Sequence, residues 1–233
     1  MITIEKYNGI NVLRDDLLNG GTKSILMPIL ITDDYNEYVY ASPVYGGFQI
    51  ALSAYCKSVG KKATIFCASR KEKHANTIKC IELGANVVEV KCGYLTVVEK
   101  HSRDYCELTG AKKLKFGAKT DECRFIIENR VKDVINKLGK EPDEIWCAIG
   151  SGTLVESILN ATSIAKVFGV QVGQEYNLRP DRLTVLCYHK PFDKKSNIIC
   201  PFPSMPNYDL KAWEYLNNLR DNKNKNILFW NVL

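Results

Sequence analysis

The amino-acid sequence predicts an α/β protein built on mainly parallel sheets. Short runs rich in β-branched and aromatic residues alternate with amphipathic segments of helix length, the pattern of strands joined by helical crossovers. Two segments, "YVYASPVYGGFQIALSAYCKSVG" and "EIWCAIGSGTLVESILNA", each run strand, glycine turn, helix. With 233 residues, 45% of them hydrophobic, the chain can bury a sizeable core in one large domain or two small lobes.

Taken in order, the first helix is expected over Ser24–Thr32, the apolar run behind a glycine pair. The strand Tyr38–Ala41 ("YVYA") leads through a glycine turn into a helix over Gly47–Val59. Lys62–Cys67 ("KATIFC") reads as the next strand, followed by a helix over His74–Leu83. Asn86–Val90 ("NVVEV") is a strand, and Tyr94–Thr109 and Thr120–Leu138 are amphipathic helices. Glu144–Ile149 ("EIWCAI") is a strand that turns through glycines into a helix expected over Thr153–Phe168. Leu183–Tyr188 and Ile227–Trp230 complete the strands, with a helix over Tyr208–Leu219 between them. Most prolines fall in "EYNLRPDR" and "HKPFDKKSNIICPFPSMPN", which read as loop.

Charged residues make up 25% of the chain and no apolar run approaches the ~20 residues of a membrane span. The amino-terminal "MITIEKYNGINVL" has no secretory pattern, so a cytoplasmic location is expected. Nine cysteines, at 56, 67, 80, 92, 106, 123, 147, 187 and 200, form no CxxC or other ligand-like spacing; they read as reduced, mostly buried small residues, and no metal site is expected. A net charge of +6 favours an anionic partner, a phosphorylated cofactor or nucleic acid, although "KSVGKK", "SRKEKH" and "GAKKLKFGAK" read first as solvated faces. His74, His101 and His189 have no paired acid or nucleophile at a useful spacing.

"AIGSGT", directly after the strand "EIWCA", offers Gly150, Ser151, Gly152 and Thr153 at a helix start. Two residues lack a Cβ that would block a phosphate and two bring hydroxyls, beside free N–H groups and the positive end of a helix dipole. No GK[ST] follows, so this is not a nucleoside-triphosphate loop. Taken alone it is equally a tight turn with an N-cap. Lys23, after Gly20 and Gly21 in "RDDLLNGGTKSIL", is alone an ordinary lysine in a first helical turn. In a pocket it would be an amine able to form a Schiff base with an aldehyde.

Together these segments resemble the tryptophan-synthase-like, fold type II pyridoxal-phosphate enzymes, and especially the aminocyclopropane-carboxylate deaminase and D-cysteine desulfhydrase branch. "VLRDDLLNGGTKSIL" is similar to the family segment in which a basic residue and two acids precede Gly-Gly-Asn-Lys, so Lys23 would carry the cofactor, with Thr22 in place of Asn. "YVYASPVYGGFQ" resembles the substrate-carboxylate loop, which would make Ser42, Gly46, Gly47 and Phe48 substrate-binding. "KCIELGANVVEV" is similar to the family's helix-to-strand step, and "EIWCAIGSGTLVESIL" to its phosphate loop, so Gly150, Ser151, Gly152 and Thr153 would hold the cofactor phosphate. In "MPNYDLKAWEYL" the resemblance puts Tyr208 near the cofactor in a catalytic role and Asp209 against its pyridine nitrogen. The implied architecture is two open parallel-sheet lobes with helices on both faces, a smaller lobe over about 36–115 and a larger one over about 1–35 plus 116–233.

Two departures from the family stand out. Gly46 and Gly47 occupy positions where the family has Ser and Asn, with Tyr45 just ahead as a candidate catalytic hydroxyl. The chain is also shorter than typical members, the loss falling between Phe168 and Pro203, which suggests a more open site or a homodimer that covers it. The resemblance extends to compact phage-encoded relatives, which would work in the host cytoplasm on amino acids attached to DNA bases. The expected activity is that of a pyridoxal-phosphate-dependent lyase: decarboxylation or elimination at the α-carbon of an amino-acid-type substrate, free or carried on a modified nucleotide, with DNA contact left open. Tyr208 and Tyr45 read equally well as packing residues and Asp209 as an N-cap. Lys211 is a rival amine that reads as solvated on its amphipathic helix. The alternative is a non-catalytic or divergent α/β protein whose glycine turns bind a phosphorylated ligand.

Overall fold

A computed structural model describes all residues except 92, 174 and 221–224. Cys92 therefore lies outside the described residues. The chain forms two compact units, one of Met1–Leu17 with Lys119–Leu233 and one of Leu18–Ala118.

The first unit holds a six-stranded sheet. It opens with a hairpin of β1 (Ile4–Tyr7) and β2 (Ile10–Arg14), antiparallel through Asn8 and Gly9, both at positive φ. Asn-Gly between alternating residues is the strongest short hairpin signal, and this strand pair precedes the first strand expected from the sequence, Tyr38–Ala41. The second unit supplies β3 (Glu37–Ala41), β4 (Lys62–Ala68), β5 (Asn86–Val90) and the two-residue β6 (Lys112–Lys113), a parallel sheet ordered β5-β4-β3-β6. Back in the first unit come β7 (Glu144–Ile149), β8 (Lys166–Gln171), β9 (Leu183–Cys187) and β10 (Ile227–Asn231). The order is β1-β2-β10-β7-β8-β9, parallel beyond the hairpin.

β8 corrects the helix expected over Thr153–Phe168. The helix α6 (Thr153–Ala161) stops at Ala161, Thr162 turns extended, and Glu141 accepts the N–H groups of Ile164 and Ala165 at 2.8 and 2.7 Å. The chain then enters a strand, where Gly169 lets β7 approach: a Cβ there would lie 2.8 Å from Ile149 Cγ1. The helix expected over Ser24–Thr32 is also shorter, a 3₁₀ stretch Gly21–Leu26 and one turn, α1, over Met27–Leu30. It ends where the Tyr38 hydroxyl takes up the Thr32 N–H at 2.8 Å and donates to its carbonyl at 2.7 Å.

The remaining helices are α2 (Phe48–Ser58), α3 (Ala75–Glu82), α4 (Leu95–Thr109), α5 (Asp121–Leu138) and α7 (Asp209–Leu219). Side chains alternate across the six-stranded sheet. Trp146, Ala148 and Phe229 pack with Trp213 and Leu216 of α7, while Ile145, Cys147 and Trp230 pack with Val131 of α5 and Ile158 of α6. The sheet is thus covered by helices on both faces. In the second unit Val98 of α4 packs with Val39, Ala41 and Phe66, and α2 lies along β4. Of the eight described cysteines, five are buried and none is in a disulfide. No helix among the described residues is long and apolar enough to cross a membrane.

Residues 18–35 fall in the second unit rather than with the larger lobe, where the sequence reading put them. Gly20 explains the difference. It sits at φ +89 with its backbone so close to α2 that a Cβ would lie 2.5 Å from Ala51 Cα, so this segment is packed onto the second unit's own helix.

Candidate functional site

The predicted site residues fall into two groups, one in each unit. In the second unit, Gly20 and Gly21, both at positive φ, wind the chain into the 3₁₀ stretch that carries Lys23. Lys23 is half-buried, with Nζ 5.8 Å from the centre of the Phe48 ring. Phe48 is buried against Tyr40, centroids 4.4 Å apart. Lys23 and Phe48 are therefore brought together.

The loop from Ser42 to Gly47 joins β3 to α2. Ser42 is buried, its N–H donating to Phe66 O at 2.8 Å and its hydroxyl to Pro43 O at 2.9 Å. Gly46 N–H donates to the same Pro43 carbonyl at 2.9 Å. A Cβ on Gly46 would lie 3.2 Å from that oxygen, so the loop is tight at this position. Gly47 is the N-cap of α2, so the helix start presents N–H groups at this loop. Tyr45 is gripped by two residues from beyond β4: the Arg70 guanidinium lies 5.0 Å from its ring centre and the His74 ring meets it edge-on at 4.8 Å. His74 Nδ1 also accepts the Asn76 N–H at 3.2 Å and caps α3.

Gln49 holds this loop in shape. Its carboxamide is fully buried and Nε2 donates to the carbonyls of Gly46 at 2.9 Å, Val44 at 3.0 Å and Pro43 at 3.3 Å. Nothing in the sequence marks Gln49. Arg70 and His74 were visible only as part of the basic run "SRKEKH".

In the first unit, Gly150–Thr153 turn from β7 into α6. The Ser151 and Thr153 hydroxyls stand 3.1 Å apart, and Gly152, the N-cap of α6, is at φ +90. The turn is walled by two tyrosines. A Cβ on Gly150 would lie 2.8 Å from Tyr208 Oη, and one on Gly152 would lie 2.5 Å from Tyr176 Cε2. Burial, with Asp209 next, raises the Tyr208 phenol above its ordinary value. Tyr176 also faces Glu156, whose other oxygen lies 3.8 Å from Arg124. Burial first, then Glu156, pushes the Tyr176 phenol up to about 12.

Asp209 opens α7 and is fully buried. Oδ2 accepts the Leu233 N–H at 2.9 Å, whereas Oδ1 has no hydrogen-bond partner among the described residues. Burial holds its pKa well above the ordinary carboxylate value, against the backbone N–H groups of Leu233 and Val232. The N-cap reading of Asp209 is replaced: Tyr208 is the N-cap, and no side chain caps the helix there.

The acids of "RDD" serve the fold. Arg14 pairs with Asp16 through two contacts of 2.9 Å, and buried Asp15 pairs with Arg130 and accepts Trp230 Nε1 at 3.2 Å. Lys211 is not solvated, as its helix position suggested. It is fully buried, Nζ donating to Pro191 O at 3.0 Å and Phe192 O at 3.3 Å and lying 4.8 Å from the Tyr188 ring centre. Two carbonyls and an aromatic face solvate the ammonium in place of water, and the lysine ties down the proline-rich loop.

No protein-family model matches this sequence, nor does any curated protein. Solved structures do match. An ACC deaminase homologue aligns with a TM-score of 0.75 at 17% identity, over 97% of this chain and 85% of that one. The fold is that of the fold type II pyridoxal-phosphate enzymes. Diaminopropionate ammonia lyase of Escherichia coli aligns at 0.63 and 11% identity over 96% of this chain and 78% of that one. O-acetyl serine sulfhydrylase isoform 3 of Entamoeba histolytica gives 0.67 and 12%, over 98% and 81%. Most of the length of these fold type II structures thus has a counterpart here.

Proposed function

We propose that this protein is a pyridoxal-phosphate-dependent lyase acting at the α-carbon of an amino-acid-type substrate. The observation that carries the reading is the fully buried Asp209 Oδ1, left without a partner beside the tyrosine that closes a glycine turn. A buried acceptor with nothing to accept is costly unless a ligand supplies a donor. A protonated pyridine nitrogen is such a donor, and a turn with no Cβ at Gly150 and Gly152 and with hydroxyls at Ser151 and Thr153 suits a phosphate. The fold adds support. Lys23 would hold the cofactor covalently through Nζ, and Gly150, Ser151, Gly152 and Thr153 would hold its phosphate.

When bound, the cofactor supplies an electron sink for charge left at the α-carbon. Freed as an amine, Lys23 moves a proton to or from that carbon. Asp209 keeps the ring nitrogen protonated, which favours decarboxylation or elimination. The α2 N–H groups at Gly47 and Phe48 bind the substrate carboxylate, and Gln49 keeps them in place. Arg70, stacked on Tyr45 at that loop, favours a substrate with a further anionic group. An amino acid carried on a nucleotide, as in base hypermodification of phage DNA, meets that requirement, and so does a free acidic amino acid. A homodimer is proposed as the working form.

The purified protein with added pyridoxal phosphate should show a visible absorbance band that is lost in Lys23→Ala. A colourless protein that takes up no cofactor would leave the alternative, an α/β protein binding a phosphorylated ligand. Incubation with free amino acids and with amino-acid-bearing nucleotides, read as carbon dioxide or ammonia released, separates the reaction and substrate classes.

A further inference from the structure

Tyr208 is expected, by resemblance, to lie near the reacting ring as a catalytic group. Its surroundings in the first unit give it a different task. The hydroxyl lies over Gly150, the first residue of the glycine turn. That close approach sets the phenol against the loop's own backbone, where its O–H can donate to whatever the turn holds. A phenol pressed on the loop in this way is a fifth element of it, alongside Gly150, Ser151, Gly152 and Thr153.

We infer that Tyr208 is a phosphate-binding residue, whose O–H donates to the anionic group held by the turn at Gly150–Thr153. The inference rests on the proposed use of that turn as the cofactor's phosphate site. Three features support it. Glycine at 150 makes room for the tyrosine, since a Cβ would lie 2.8 Å from Oη, 3.0 Å from Cε2 and 3.4 Å from Cζ. The phenol is pushed above its ordinary value by burial, so it stays protonated and serves as a donor rather than a base. Next to it in the chain is the unpartnered, fully buried Asp209 Oδ1, an independent mark of a ligand at this end of α7. Tyr176, pressed on Gly152, closes the other end of the turn, but its hydroxyl faces Glu156 at 3.5 Å. Tyr208 is therefore the tyrosine with a proton for the phosphate.

The test compares three ligands that differ in the phosphate: pyridoxal 5'-phosphate, pyridoxal, and inorganic phosphate. Binding of the aldehydes is read by the lysine adduct's absorbance and that of phosphate by calorimetry. Tyr208→Phe should weaken pyridoxal phosphate and inorganic phosphate by about tenfold to a hundredfold, the span of one hydrogen bond to a charged group, and leave pyridoxal within about twofold. Retained pyridoxal binding also shows that the variant is folded. Gly150→Ala, which drives the hydroxyl away, should reproduce the pattern. Equal losses on pyridoxal and its phosphate, or unchanged phosphate binding, overturn the inference. A parent protein that binds phosphate but forms no adduct with either aldehyde overturns the cofactor reading alone, since the phosphate arm still decides the role of Tyr208. A parent that binds neither inorganic phosphate nor either aldehyde overturns both.

Discussion

Gly20→Ala is the perturbation that tests how the lysine turn is built. Gly20 sits at φ +89, and an alanine there meets two separate costs. The left-handed backbone costs an L residue about 1–2 kcal/mol, less about 0.4–1 kcal/mol because alanine restricts the unfolded chain. The added Cβ would also lie 2.5 Å from Ala51 Cα and 2.6 Å from Ala51 Cβ, so the turn must move off α2. Overpacking of this kind costs about 1–3 kcal/mol. The sum, about 1–4.5 kcal/mol, is a sizeable share of the ~5–15 kcal/mol that holds a domain folded. Gly60 is the control: its φ is +71, but a Cβ there meets nothing within 4 Å. Gly60→Ala should therefore show only the backbone cost, about 1 kcal/mol. The assay is equilibrium unfolding in urea, comparing midpoints at unchanged slope. Equal shifts for the two variants would refute the close approach of the Lys23 turn to α2.

Three further outcomes are expected. Gln49→Leu removes the donor shared by the Pro43, Val44 and Gly46 carbonyls, so stability should fall by about 2 kcal/mol and amide exchange at residues 45–47 should quicken; unchanged exchange would contradict the staple. Lys211→Ala leaves the Pro191 and Phe192 carbonyls without their donor, at a cost of about 1–3 kcal/mol, and should open the proline-rich loop to proteolysis; a parent-like digestion rate would count against it. Asp209 binds its proton more tightly folded than unfolded, so its contribution to stability is fully present below the ordinary value of 3.8 and is lost as pH rises through the raised folded value. Asp209→Asn does not titrate, so its denaturant midpoint should gain on the parent across that window, and parallel pH curves would show that the carboxyl is not held protonated.

The elements that carry the chemistry were readable because each has a local cause. Strand, glycine turn and helix in "EIWCAIGSGT" and "YVYASPVYGGF" need only β-branched runs, glycines and amphipathic periodicity. β8 was missed because a short buried apolar run such as "AKVFGVQV" has no period that separates strand from helix, and what ends α6 is a carboxylate at Glu141, distant in sequence. The hairpin at Asn8 and Gly9 was legible and overlooked. Site residues that act through contacts gave no signal of their own. Gln49 looks like any helical glutamine until its three carbonyls are known, and Lys211 looks solvated until Pro191 and Phe192 close over it. Tyr208 was singled out through the resemblance of "MPNYDLKAWEYL", but its close approach to Gly150 depends on how α7 lies against β7.

The central claim is that Lys23, among many lysines, is the amine that carries pyridoxal phosphate. Reducing the protein with borohydride after equilibration with the cofactor makes any lysine adduct permanent, and peptide mass spectrometry then locates it. The account predicts a pyridoxyl adduct on Lys23, absent from Lys211 and from a Lys23→Ala variant. An adduct on another lysine with Lys23 bare, or no adduct at all, would contradict it.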